Sequence, residues 1–160
     1  RCMSFHRSRR ETIFAITTRC ARVFSLSWAQ QTRKREAMLP IIMPGIADKK
    51  VVFRLSRSYY RQLIEAGVKI YEYTPGFVHA KGCICDDKLA VLGSVNLDYR
   101  SLFLHFECSS IFYDSSIIKT FKADILDTQS KCRQRTLEDT KRGFFGRIID
   151  GVLRIFAPLL

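Results

Sequence analysis

From residue 39 onward, apolar residues fall in short runs separated by turn signals. Residues 39–43 form one continuous apolar run closed by Pro44-Gly45, which predicts a buried strand and a turn. Val52, Leu55, Tyr59, Leu63 and Ala66 then recur at helical spacing, with Asp48 as N-cap and Gly67 as C-cap. Arg54, Arg57 and Arg61 lie on another stripe of that helix. Such a stripe is usually a solvated face, and facing a phosphate is the rarer reading. Residues 68–73 alternate as a strand does, and Thr74-Pro75-Gly76 turns the chain. Residues 77–85 and 89–92 predict two strands joined at Asp86-Asp87-Lys88, a hairpin. Residues 106–113 predict another strand and 116–126 a helix.

The two ends read differently. Near the start only residues 12–18 carry a β-branched apolar run, and the rest of 1–38 shows no repeat or helix period. The expected division is a basic segment over 1–38, partly disordered, and one folded domain over 39–160. Near the close, Thr136-x-x-Asp139 has the form of a capping box. Beyond it Phe144, Phe145, Ile148, Ile149, Val152, Leu153 and Phe156 share one helix face, with Arg147, Asp150, Gly151 and Arg154 on the other. A basic amphipathic helix of this kind packs on its own domain or lies on an anionic membrane surface. Strands interspersed with helices predict an α/β or α+β sandwich, helices covering a sheet.

Composition narrows the class. With 160 residues, 47% hydrophobic and 26% charged, the chain is globular rather than disordered and long enough for one real core. The net charge of +12 favours anionic partners: nucleic acid, anionic lipid or phosphorylated substrates. Over half of that surplus lies in residues 1–36, with nine Arg or Lys against two acids. The six cysteines form no C-x-x-C pair and fit no zinc site; Cys83 and Cys85, two apart in an apolar run, are expected on one strand face as buried reduced thiols of a cytosolic domain. No apolar stretch reaches the length of a membrane span and no signal peptide is read; the chain opens on Arg1 rather than Met, as a fragment would.

The chemistry concentrates in His79-x-Lys81, then Asp86, then Gly93-Ser94-x-Asn96. On a strand, His79 and Lys81 project from one face and converge on one anion. Ser94 and Asn96 follow a glycine and both can donate hydrogen bonds to phosphate oxygens. A histidine, a cation and two neutral donors suffice for phosphodiester chemistry without a metal, so no metal or other cofactor is expected. Each piece alone is weak; HxK-x4-D-x6-GSxN together is specific.

That joint pattern resembles the HKD signature of the phospholipase D superfamily. The stretches from Pro44 to Asp48, from Ser56 to Tyr73 and from Gly93 to Ser101, with the closing Ala157-Pro158-Leu159-Leu160, are similar to bacterial cardiolipin synthases, from about residue 41 to 160. The resemblance implies a phospholipase D-like α/β domain, a mixed sheet flanked by helices. It implies His79 as nucleophile or proton carrier, Lys81, Ser94 and Asn96 as phosphate-binding groups, and Glu107 as the acid that orients the active histidine. Asp86 completes the catalytic motif in a mainly structural role. His105 stands where the family commonly has Asn, a neutral variant near the site.

The implied reaction joins two phosphatidylglycerol molecules into cardiolipin and glycerol through a phosphohistidine, peripherally at the bacterial cytoplasmic membrane. The family has a first half with its own motif and N-terminal membrane segments, which residues 1–38 do not match, so a truncated form is implied. One motif supplies one of the two histidines required. A homodimer, or association with a missing N-terminal half, would supply the other. Two alternatives stand beside this: a homodimeric single-motif nuclease, and a fragment without activity.

Overall fold

The computed structural model describes residues 13–16, as backbone, and 39–157. Seven strands form one mixed sheet: β1 (Ile13–Ile16), β2 (Pro40–Pro44), β3 (Lys69–Tyr73), β4 (Gly82–Cys85), β5 (Leu89–Gly93), β6 (Ser109–Tyr113) and β7 (Cys132–Arg135). Their order across the sheet is β6-β5-β4-β1-β2-β3-β7. β1 runs parallel to β2 and β2 to β3, while the other pairs are antiparallel. The helices are α1 (Lys50–Ser58), α2 (Tyr60–Glu65), α3 (Ile117–Ser130) and α4 (Phe144–Ile155). The expected α/β architecture, a mixed sheet flanked by helices, is the one observed.

β2 shows why the sheet is covered on both faces. All five of its residues are buried. Side chains alternate across a strand, so Ile41 and Met43 face one core with Leu55, Tyr59, Leu63 and Ile70, beneath α1 and α2. Ile42 faces the other core with Ile84, Ala90, Ile118 and Ile125, beneath α3. Cys83 and Cys85 share the α1–α2 side, as their spacing predicts. They carry free thiols, as do Cys108 and Cys132; Cys2 and Cys20 lie outside the described residues.

Several expectations shift. The helix after Asp48 starts at Lys50 with Lys49 as N-cap and no side-chain cap, so Asp48 stays outside it. It bends at Tyr59 into α2, where Gly67 ends it with φ 94. The strand expected over 77–85 is ordered as strand only from Gly82. The one expected over 106–113 starts at Ser109, and the helix expected over 116–126 runs on to Ser130. β7 has no counterpart in the sequence reading. Its four residues, Cys-Arg-Gln-Arg, lack an apolar alternation and are recruited by pairing with β3. β1 lies inside the stretch expected over 12–18 and sits between β4 and β2, so a division at residue 38 separates a central strand from its sheet.

Of the arginine stripe, Arg61 stays exposed and pairs with Glu65 on the surface at 2.8 Å, as a solvated face would, while Arg57 and Arg54 turn to the domain. Arg57 makes two hydrogen bonds to Glu72, 2.8 and 2.6 Å, and Arg135 from β7 bonds the same carboxylate at 2.7 Å. Glu72 is fully buried on the same face as Ile70. Arg54 bonds Asp150 at 2.8 Å and thereby ties α1 to α4. Arg154 of α4 donates to the Ser58 hydroxyl at 3.0 Å and to its carbonyl, and lies 4.7 Å from the Tyr59 ring centre. Thr136 donates its amide to Asp139 at 2.9 Å, as a capping box requires, closing a single 3-10 turn at Glu138–Thr140 before α4.

Candidate active site

Three strand ends meet at one end of the sheet. Lys81 leads into β4, Gly93 ends β5 and Ser109 begins β6. The Gly93 amide donates to the Lys81 carbonyl at 3.1 Å, and Gly93 pairs with Ser109 in the ladder. A Cβ on Gly93 would lie 2.3 Å from the Cys108 carbonyl oxygen, so only glycine lets β5 and β6 close here. The hairpin and the β6 edge therefore bring His79, Lys81, Ser94, Asn96 and Glu107, scattered over 29 positions (79–107), to one end of the sheet.

His79 and Lys81 meet, though not as two residues on one strand face. Residues 77–81 are irregular, and Lys81 folds back over the ring. Its Nζ lies 2.9 Å from His79 Nδ1, 3.0 Å from Nε2 and 2.9 Å from the His79 carbonyl oxygen. The ammonium thus sits against the ring, close to both of its nitrogens. His79 is exposed, with the Phe77 ring 5.9 Å away.

Ser94 and Glu107 form the second half of the cluster. The Ser94 hydroxyl donates to Glu107 and accepts the Cys108 amide at 3.0 Å, while the Ser94 amide donates to the Cys108 carbonyl at 2.9 Å. Hydrogen bonds from Ser94 and Ser101 hold the Glu107 carboxyl below the usual range, aided by the charges of His105 and Lys81 and opposed by partial desolvation. Glu107 is thus an anion beside the lysine. Its hydrogen bonds go to serines, where the resemblance implied one to the histidine. Asn96 lies half-buried on the loop leaving β5.

Asp86 stands apart from this cluster. It occupies the β4–β5 turn, at the opposite end of the hairpin from Lys81. There Asp86 and Asp87 take φ of 50° and 58°, the left-handed pair a tight hairpin turn requires and aspartate tolerates. The geometry removes Asp86 from the reacting groups and leaves it the turn.

Two neighbours were missed by the sequence reading. Ser101 is buried, supports Glu107, and donates its amide to Asp98 at 2.7 Å at the head of a short π-helical segment, Arg100–Leu104. The Asp98-x-x-Ser101 spacing was the available signal. Arg100 bonds His105 on the surface, so His105 is engaged outside the His79–Lys81 contact. Among the described residues no helix is long and apolar enough to cross a membrane.

The family described as cardiolipin synthase, PLD-like domain, matches residues 9–127. A cardiolipin synthase of Geobacillus sp. (strain WCH70) is 41% identical over 121 residues, 75% of this chain and 24% of that one. The chain spans 24–29% of the length of the first curated relatives it matches. Among solved structures, the phospholipase D family member Nuc from Salmonella typhimurium superposes with a TM-score of 0.68 at 14% identity, over 80% of this chain and 84% of that one. Phosphatidylserine synthase of Haemophilus influenzae Rd KW20 gives 0.68 at 16% identity, over 94% and 40%. Both likenesses are of fold.

Proposed function

We propose a phosphatidyltransferase half-site, because the chain belongs to the cardiolipin synthase family of phospholipase D-like domains. The observation that carries the reading is the Lys81 ammonium against the His79 ring at one end of β4–β6, beside Ser94 and Glu107. The substrate is phosphatidylglycerol. The His79 nitrogen attacks phosphorus, a P–N bond forms, and the P–O bond to the departing glycerol breaks as that oxygen takes a proton from a second histidine. The glycerol hydroxyl of a second phosphatidylglycerol then attacks the phosphohistidine, giving its proton back to the second histidine. The P–N bond breaks and cardiolipin leaves. Lys81, Ser94 and Asn96 hold the phosphate oxygens, and Glu107 fixes Ser94 and offsets the lysine charge.

One motif gives one histidine, so the second comes from outside this set of residues. For the 160-residue chain the source we assign is a second copy of itself. The test is incubation of the purified chain with phosphatidylglycerol in mixed micelles, with cardiolipin read by mass spectrometry. Cardiolipin is expected from the wild type, and His79→Ala is expected to lower its formation by at least about a thousandfold. Equal product from both proteins sinks the assignment of His79.

A nuclease reading keeps the same residues and changes the substrate. The net charge of +12 favours it. Release of nucleotides from DNA by the wild type, without cardiolipin formation, would replace the lipid reading.

A further inference from the structure

The apolar side of α4 faces outward. Phe144 is 72% exposed, Phe145 79% and Ile155 74%, with Ile148, Ile149, Val152 and Phe156 near half. Its opposite side is bound to the domain: Leu153 and Ala157 pack on the core, and Asp150 and Arg154 are tied to α1. This inverts the usual placement of an amphipathic helix, whose apolar face seeks the core.

Between α4, the α1–α2 bend and the 3-10 turn lies a cavity of about 730 Å³. Its walls carry six cationic side chains; Arg57, Arg61, Lys141 and Arg142 pair with Glu72, Glu65, Glu138 and Asp150, which leaves Arg147 and Arg154 as the surplus. Arg154 is fixed by neutral partners, the Ser58 hydroxyl and carbonyl, so its charge stays uncompensated. Arg147 has no ion pair among the described residues. Gln62 also lines the cavity, and its buried Oε1 has no hydrogen-bond partner among the described residues. That acceptor suits a hydroxyl on the ligand. None of the cavity's residues belongs to the cluster around His79.

Position links the two features. At about 100° per residue, the stripe of Arg147, Gly151 and Arg154 borders the one formed by Phe144, Ile148 and Ile155. The cavity therefore opens along the flank of the exposed apolar face. A helix lying in the surface of a leaflet would place this opening at the depth of the headgroups.

We propose that the cavity is a second phosphate site, apart from the His79 centre, which takes the headgroup of an anionic phospholipid while the apolar face of α4 rests in the leaflet. The charge surplus at the flank selects an anionic leaflet as occupant over an apolar protein surface. The choice of phospholipid over other phosphates rests on the lipid reading given above. Holding a headgroup there would anchor the domain without occupying the catalytic groups.

Cosedimentation of the 160-residue chain with vesicles tests this. Vesicles of phosphatidylglycerol mixed with phosphatidylcholine are expected to carry the chain down, and vesicles of phosphatidylcholine alone to leave most of it in solution. Arg147→Glu, at an exposed position without a side-chain partner among the described residues, is expected to weaken binding to the anionic vesicles about tenfold or more. Phe145→Ser should weaken it as well. His79→Ala should bind as wild type does, so loss of turnover and loss of anchoring are read separately. Wild-type binding by Arg147→Glu overturns the site, as does loss of binding in His79→Ala. Release by millimolar inorganic phosphate together with indifference to Phe145→Ser would assign the cavity to a free phosphate and overturn the leaflet. If Phe145→Ser instead splits a dimer and leaves vesicle binding unchanged, the apolar face belongs to a second copy and the proposal falls.

Discussion

Glu72 shows what one buried charge does in this fold. It is fully buried, yet two arginines reach its carboxylate from opposite directions in sequence, Arg57 on α1 and Arg135 on β7. The carboxylate accepts from both, so its buried oxygens are paired rather than left without partners. Removing it leaves Arg57 without its carboxylate and Arg135 with only Asp139, 3.5 Å away. Glu72→Ala is expected to lower unfolding stability by about 3–5 kcal/mol, a large part of the ~5–15 kcal/mol typical of a domain. Urea denaturation followed by circular dichroism measures this, and a midpoint within error of wild type would show that the triad contributes nothing. Sequence reading did not find this residue, for a physical reason. The alternation of β3 marked position 72 as inward, but its second partner lies 63 residues away, and no local pattern announces such a pairing. By contrast His79, Lys81, Ser94 and Asn96 were legible because a hairpin brings them together over short sequence distance. Asp86 shares the motif's spacing while lying at the other end of that hairpin, so spacing alone could not show that it leaves the cluster.

At the scale of elements, what was legible followed from side chains, and what was not followed from pairing. The apolar run of β2 and the alternation of β3 announce themselves. β7, polar and charged, is recruited by pairing with β3. α4 was legible as a helix, but the outward direction of its apolar face depends on Asp150 and Arg154 finding partners on α1. β1 is the sharpest case. Its backbone pairs four residues with β4 and two with β2, joining the β2-β3-β7 group to the β4-β5-β6 group. Deleting residues 1–38 would leave both inner strands with unpaired amides and carbonyls, each costing about 1–3 kcal/mol when kept from water. The chain of residues 39–160 is therefore expected to lose its cooperative urea transition. A sharp transition at the wild-type midpoint would show instead that the sheet closes without β1 and that a boundary at 38 is a domain boundary after all.

At the scale of the whole molecule, the decisive feature is an apolar face exposed among the described residues, beside the proposed half-site. Glu107 and Ser94 adjoin the π-helical segment and the β6 edge, where Phe106 is fully exposed, Ile111 71%, Tyr113 67%, Leu104 60% and Phe103 59%. Scattered exposed apolar residues are ordinary, but five on an edge strand and the segment leading into it suit an association surface. The reaction proposed needs a second histidine, and a two-fold axis through this face would present the partner's histidine at the same mouth. Both observations are met by one event. Sedimentation velocity is expected to show a concentration-dependent dimer for the wild type. Ile111→Lys, a charge placed on the strand edge away from the catalytic groups, is expected to shift it to monomer and abolish cardiolipin formation together, with its circular dichroism unchanged. Retained turnover by a monomeric Ile111→Lys would mean that one motif completes the chemistry and the two-histidine scheme is wrong. A wild type that is monomeric at every concentration and makes no product would assign the face to additional chain of the kind carried by the relatives about three times this length. The 160 residues would then be one wall of an active site whose other wall is covalently attached elsewhere.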